Sequence, residues 1–311
     1  MSKILDLPDT AHAHRFSHKA MGSICEIAID REEAEYARQA ADAAFGELDR
    51  LEQELSLFIE SSDVSRINAL SAGEAVRVGL ATFECLKIAV QVHAETGGAF
   101  DVTIGRLLRY WHEHPDACTA DPQFSAVRAL TGMHLIRLDE ETHSVAVAVD
   151  GVRIDLGGIG KGYALDRMAA LLADWGIEKA LLQIGYSSLL AIGSPAGRNG
   201  WQVALRSPLA GAPPIASLLL ADRAIGGSGF GAKGRHIIDP RSGTLAERWL
   251  ATWAVAPAAA VADALSTAFM LMSEEQIRDY CLHNTSVAAM AAADGPCGIK
   301  MLAYNWQNNS S

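Results

Sequence analysis

The sequence has no basic excess, no paired cysteines, no long apolar run and no charge block, and each absence narrows what the chain can do. With 26 Lys and Arg against 37 Asp and Glu, the formal net charge is -11. That leaves no cationic footprint for grasping phosphates, which argues against nucleic-acid binding. It also disfavours docking on an anionic membrane. Cys25, Cys85, Cys118, Cys281 and Cys297 are scattered with no C-x-x-C pair. An odd, dispersed set fits buried thiols in a reducing compartment better than a disulfide framework. The chain does not open on the run of about seven apolar residues that marks a signal peptide. Nor does any stretch approach the roughly eighteen apolar residues of a membrane span. A cytoplasmic protein is therefore expected. No G-x-S-x-G elbow is present, so a serine hydrolase is unsupported.

What is there is a chain of 311 residues, half of them hydrophobic and a fifth charged, the profile of a globular protein with ample core. Residues 15–30 read as an extended opening segment. A long amphipathic helix follows, with Ala37, Ala41, Ala44, Leu48, Leu51 and Leu55 recurring every three or four residues. A second helix over roughly 80–95 places Phe83, Leu86, Val90 and Ala94 on one face and stops at "TGGAF". Segment 112–127 reads as loop, including the "WHEH" tract, for which no second metal-ligand cluster exists. Short β-like runs come next: "HLIRL", "HSVAVAV" and "VRIDL". After the helix "YALDRMAALLADWG" come "KALLQIG", "SLLAIG", "WQVALRS", "ASLLLADRA" and "LATWAVAP". A helix over 259–272, a short one at "EEQIRDYCLHN" and final strands around 286–304 complete the chain. Strands and helices mix without strict alternation, which predicts an α+β or mixed α/β fold.

Several stretches carry candidate chemistry. In "VRIDLGGIGKGYALDR" a strand runs into a glycine-rich turn with Lys161, and a helix starts at once. That geometry aims backbone N–H groups at an anion, or simply meets the backbone demands of a tight connection. It is not a Walker A loop, because Lys161 is followed by Gly162. A formal G-x-G-x-x-G at Gly229, Gly231 and Gly234 has no helix behind it, so the dinucleotide-fold context fails. Beyond it, His236 and Asp239 lie on an extended run ending at Pro240; a histidine there suits a general base, a ligand contact or a satisfied core position. Asp101 sits in an apolar segment and must be paired or hydrogen-bonded there. Finally, "VADALSTAF" places Asp263 and Thr267 one helical turn apart on one side. The plain alternative is that Thr267 bonds back to the preceding turn and Asp263 reaches solvent.

In order, the chain reads "MGSICEIAI", "SLFIESSDVSRIN", "TGGAFDVTIGRLLRYW", "IDLGGIGKGYALD", "SGFGAKGRHIIDPRSG" and "ADALSTAFMLM". This ordered set, spanning roughly residues 20–275, resembles the FAD:protein FMN transferase (ApbE) family. The resemblance implies an α+β (mixed α/β), T-fold-related single catalytic domain with mixed sheets flanked by helices. It would occupy residues 15–305, between tails at 1–14 and 306–311. It implies FAD as substrate and Mg²⁺ as cofactor, with the FMN half of FAD passing to a Thr or Ser hydroxyl of a target flavoprotein as AMP leaves. Some members hydrolyse FAD instead, and an FAD-binding protein without the chemistry is a third reading. Carried over residue by residue, the metal ligands would be Asp263, Thr267 and the carbonyl of Gly158, hard oxygens of the kind Mg²⁺ favours. Flavin contacts would come from Met21, Phe58, Ala99, Phe100, Asp101, Asp155, Lys161 and Ile238. His236 is the leading candidate for removing the proton of the incoming hydroxyl, and Asp239 a further one. The chain departs from the family at Phe58, where Tyr is common, and at Tyr186 and Ser187, which replace a usual glycine and acidic residue.

Overall fold

The structure is a computed structural model that describes residues 5–6, 13–30, 32–207, 213–230, 236–295 and 298–306. Gly231 and Gly234 of the glycine-rich match, Cys297, and most of both expected tails lie outside the described residues.

The chain begins with strands β1 (Leu5–Asp6), β2 (Ala13–Ala20) and β3 (Ser23–Asp30), then helices α1 (Ala34–Leu55) and α2 (Asp63–Asn68). Next are β4 (Ala75–Arg77), α3 (Leu80–Glu95), α4 (Gly105–Glu113), α5 (Pro122–Arg128), β5 (Ile136–Asp139) and β6 (Ser144–Val147). The centre holds α6 (Gly160–Asp174), β7 (Ala180–Ile184), β8 (Ser188–Ile192), β9 (Trp201–Leu205), β10 (Ala216–Leu220) and β11 (Arg223–Gly229). The chain closes with β12 (Ala251–Ala256), α7 (Ala259–Phe269), α8 (Glu274–His283), β13 (Ala288–Gly295) and β14 (Gly298–Tyr304).

One eight-stranded sheet, in the order β14-β13-β12-β11-β8-β7-β3-β2, organises the molecule. Its inner strands are apolar on both faces because both are covered. On one side Ile27, Ile29, Leu182, Ile184, Leu190, Ala224 and Ala254 pack beneath the helices. The alternate residues Ala28, Leu181, Leu189, Ile225, Trp253 and Val255 meet Trp201, Val203 and Leu218 of the small sheet β1-β9-β10. This period of two, apolar in both phases, is what a sheet buried on both faces requires. A third small sheet, β4-β6-β5, stands apart.

The α+β class holds, with one change: among the described residues every strand ladder is antiparallel, where mixed sheets were expected. "VRIDL" forms no strand and makes only a single parallel bridge, Ile104 to Arg153, because it leads straight into the glycine turn. The extended opening segment is a hairpin whose two turn residues, Met21 and Gly22, have φ of 51° and 64°. Two positive values mark the turn type whose twist matches paired strands. The run "ASLLLADRA" also divides, at Asp222 with φ 51°, into β10 and the start of β11. Segment 112–127 is not all loop. Trp111–Glu113 end α4, and α5 starts at Pro122 beneath the side-chain cap of Asp121. In α3 Phe83 and Leu86 of the expected face are buried, together with Ala81, Thr82, Cys85, Ala89 and Val92, while Val90 is 40 % exposed and Ala94 is exposed as well. Apolar residues on both flanks of this helix blur the periodicity that would separate the two sides. The stripe expected for α1 is buried from Ala37 to Leu55.

Helix α7 lies unusually close to both α6 and the sheet. A Cβ on Gly162 would fall 2.1 Å from the carbonyl oxygen of Ala259, and one on Gly226 would fall 2.4 Å from that of Ala262. Both obstructions are backbone and cannot swing aside. Gly162→Ala and Gly226→Ala are therefore expected to cost about 1–3 kcal/mol or more by overpacking. Gly46, inside α1 with nothing within 4 Å of its would-be Cβ, behaves oppositely. Gly46→Ala should stabilise by roughly 0.5–1 kcal/mol. Urea unfolding midpoints of the three variants check both signs.

Candidate active site

Where the glycine turn, the β7–β8 turn, the end of β11 and one side of α7 meet, they enclose a cleft of about 620 Å³. Its floor is polar because α7 presents Asp263 and Thr267 there. Asp263 is only 5 % exposed and lines the cleft, so its carboxylate is largely withdrawn from solvent. Three groups gather at Oδ2: the Gly162 N–H donates at 2.8 Å, the Ser188 hydroxyl at 2.9 Å, and Lys161 Nζ stands at 3.9 Å. Thr267 does touch the Asp263 carbonyl, but only at 3.4 Å, and its hydroxyl also meets Ser228 Oγ at 3.2 Å. Thr267 thus bonds back to the preceding turn as the plain alternative has it, though weakly, while Asp263 is largely buried at the cleft floor instead of standing out in solvent.

Burial pushes the Asp263 carboxyl above the ordinary carboxylate range, against the pull of Lys161, Ser188 and the Gly162 N–H. That N–H belongs to the first turn of α6, whose positive end stabilises the charge. The arrangement is reciprocal. Asp166, four residues along α6, accepts from Ala259 N at 2.7 Å and Ala260 N at 2.8 Å, the first turn of α7. Burial raises the Asp166 carboxyl to about 6; the two N–H groups oppose that shift and the nearby Asp263 charge adds to it.

Gly158 lies against this floor. A Cβ there would stand 3.1 Å from the Phe100 ring and 3.4 Å from Thr267 Oγ1, so glycine keeps the passage open. A carboxylate, a hydroxyl and a backbone carbonyl are hard oxygen donors, fitting Mg²⁺ better than a soft metal. No group of three or more His, Cys, Asp or Glu occurs among the described residues. A cation would therefore complete its shell with water or substrate oxygens.

The cleft lining includes Met21, Phe58, Ala99, Phe100, Asp101, Asp155, Gly158, Lys161, His236, Ile238, Asp263 and Thr267, which come from six separate stretches of sequence. Asp239 is not among them. Its carboxylate is held by the Arg241 guanidinium at 2.7 Å and by the Arg241 N–H at 2.9 Å, which makes it a turn-holding residue. Asp101 accepts from the Thr103 N–H at 2.7 Å, the Thr103 hydroxyl at 2.6 Å and Met133 N at 3.1 Å. It is paired, as a buried carboxylate must be, and it shapes the wall through the backbone. Asp155 likewise accepts from Gly157 N at 2.6 Å. Phe58 stands on the rim, 89 % exposed, and Ile238 packs with Leu107, Tyr110 and Phe124. Tyr186 and Ser187 also line the cleft.

The ApbE family model matches residues 21–291 of this sequence. The chain belongs to the ApbE family. Among its curated relatives, the FAD:protein FMN transferase of Vibrio cholerae serotype O1 is 29 % identical over 250 residues, covering 74 % of this chain and 73 % of that protein. The protein of the same name from Escherichia coli K12 is 25 % identical over 297 residues, covering 89 % and 83 %. Among solved structures, the flavin transferase ApbE from Vibrio cholerae superposes with a TM-score of 0.83 at 24 % identity, covering 94 % of this chain and 97 % of that one. The ApbE protein of Thermotoga maritima gives a TM-score of 0.81 at 28 % identity, covering 93 % and 96 %. No helix among the described residues is long and apolar enough to cross a membrane.

The motifs do not disclose the residues that hold the site in place: Asp166, Ser188, Ser228 and Glu52, whose Oε1 accepts from Met21 N at 2.7 Å. Asp166 and Ser228 fall inside the quoted motifs "IDLGGIGKGYALD" and "SGFGAKGRHIIDPRSG" with no sign of that role. Asp166 is the carboxylate four residues beyond Gly162 on a helix expected to pack. Because its folded-state pKa is raised, its contribution to stability is fully present below about pH 4 and is lost as pH rises through about 6. Asp166→Asn, which cannot ionise, should lack this loss, so it should gain stability relative to the wild type as pH rises from about 4 to 7.5. Unfolding midpoints of the cation-free proteins across that window provide the check.

Proposed function

We propose that this protein is an Mg²⁺-dependent FAD:protein FMN transferase. The observation that carries the reading is the buried Asp263 carboxylate beside Thr267 and Gly158 at the floor of a largely apolar cleft. A drug-sized or cofactor-sized ligand with a planar apolar end and an anionic end fits such a shape. The names of the curated relatives supply the chemistry.

In this reading the apolar walls at Met21, Phe58, Ala99, Phe100 and Ile238 take the flavin, with Asp101 and Asp155 shaping the backbone around it. Asp263, Thr267 and the Gly158 carbonyl would hold Mg²⁺. Bound there, the metal supplies the charge that polarises the scissile phosphate and steadies the departing AMP. Lys161 adds a second positive charge next to the same floor. His236 accepts the proton of a Thr or Ser hydroxyl on a target flavoprotein. That oxygen forms the new bond to the FMN phosphorus, the pyrophosphate bond breaks, and AMP leaves with the electron pair. Catalysis is then mainly positioning and charge stabilisation.

The test is a mixture of protein, FAD, Mg²⁺ and a Thr-containing acceptor peptide read by mass spectrometry. The peptide should gain an FMN-sized mass with release of AMP, and Asp263→Ala should be silent. Free FMN and AMP with an unmodified peptide would mean hydrolysis instead, and intact FAD would mean a binding protein. His236→Gln should slow transfer by about 10²–10⁴ without abolishing FAD binding. Since the Asp263 carboxyl is raised, protons compete with the cation, and apparent Mg²⁺ affinity should rise with pH.

A further inference from the structure

Thr267 can hold a cation only through an oxygen lone pair, so its hydroxyl proton must point away from the cleft. The hydroxyl cluster behind it fixes that direction. The Ser266 hydroxyl lies 2.8 Å from the Asp263 carbonyl oxygen, which can only accept. Ser266 must therefore donate there, and its own oxygen is left as an acceptor. Ser228 Oγ sits 2.9 Å from Ser266 Oγ. With the Ser266 proton already committed, the proton between these two oxygens must come from Ser228; otherwise two lone pairs would face each other. Ser228 has then spent its single donor and faces Thr267 Oγ1, 3.2 Å away, as an acceptor. Among the described residues the other acceptor in reach of the Thr267 proton is the Asp263 carbonyl at 3.4 Å, which accepts Ser266 at a much shorter 2.8 Å.

We infer that Ser228 is a positioning residue for cation binding. The protons run one way, from Thr267 to Ser228 to Ser266 to the Asp263 carbonyl, and this chain turns the Thr267 lone pairs outward. The inference rests on the proposed roles of Asp263 and Thr267 as ligands. It concerns a residue outside the proposed ligand set, on a different element, β11. The main chain holds the far end firmly. Ser266 is 1 % exposed, and its own carbonyl accepts the Thr252 hydroxyl at 2.6 Å. The near end is the weak link: without Ser228, Thr267 keeps only the long contact to a carbonyl already in use, and its hydroxyl can rotate its proton toward the incoming cation.

The experiment is a Mn²⁺ titration followed by electron paramagnetic resonance, with and without FAD, on the wild type, Ser228→Ala and Ser228→Thr. Ser228→Ala should weaken Mn²⁺ binding about tenfold or more, the usual effect of removing a group that orients a ligand. Ser228→Thr, which keeps the hydroxyl, should restore affinity to within about threefold. The melting temperature of cation-free Ser228→Ala should match the wild type, because a merely structural serine would lower it. Equal Mn²⁺ affinity in wild type and Ser228→Ala would overturn the inference and leave the proposed cation site intact. A wild type that binds no Mn²⁺ with FAD present would overturn both.

Discussion

Two carboxylates, one buried and one half-buried, each placed at the start of the other's helix, hold the centre of this molecule. Asp263 on α7 accepts the Gly162 N–H of α6, and Asp166 on α6 accepts the Ala259 and Ala260 N–H groups of α7. Neither helix has a side-chain cap of its own. Each would otherwise bury unpaired N–H donors, at a cost comparable to a lost hydrogen bond apiece. The exchange works only at very short separation, which Gly162 permits. Burial raises the Asp166 pKa to about 6, and repulsion from the Asp263 charge adds to that rise. The helix N-termini and Lys161 keep the pair tolerable.

The cleft follows from that contact. Once α7 is fixed against α6 and pressed onto β11 at Gly226, its Asp263–Thr267 side must face the gap between the glycine turn and the strand ends. Ser188 arrives from β8 and Ser228 from β11, neighbouring strands in the sheet, so the polar floor is assembled from four places in the chain. The walls are built from loops: the β2–β3 turn, tied to α1 through Glu52, and the turn after α3, where Asp101 and Thr103 wrap the backbone. Rigid elements carry the charge, and loops carry the shape.

Much of this was legible in the sequence wherever a signal is local. The long stripe of α1, the helix behind the glycine turn, and the i, i+4 pair of Asp263 and Thr267 all repeat at helical spacing and were found where they fall. Local periodicity misled when both sides of an element were apolar, as in α3, where Val90 faces outward. It also failed for "VRIDL", whose alternation looks like a strand but whose neighbours offer it only one bridge. Asp239 looked chemical because it follows His236 closely; its partner Arg241 lies two residues on, and a sequence does not say which way a carboxylate turns. Ser188 carries no pattern, and Ser228 is only the first residue of "SGFGAKGRHIIDPRSG". Their importance comes from contacts 75 and 39 residues away along the chain, to Asp263 and Thr267.

The same carboxylate serves fold and site, and the two uses pull in opposite directions. A charge kept from water is destabilising unless fully compensated. Asp263 is compensated at Oδ2 alone, and no described residue bonds Oδ1. An apolar residue in its place would spare the desolvation cost. It would also strand the Gly162 N–H and the Ser188 hydroxyl in the core, and an orphaned buried donor costs about 1–3 kcal/mol. The fold therefore cannot discard the charge, and at Oδ1 no described protein donor satisfies it. A cation at the proposed site would relieve that deficit, and whatever binds the folded form alone stabilises it by mass action. Affinity for the ligand and instability without it are then one property of one side chain.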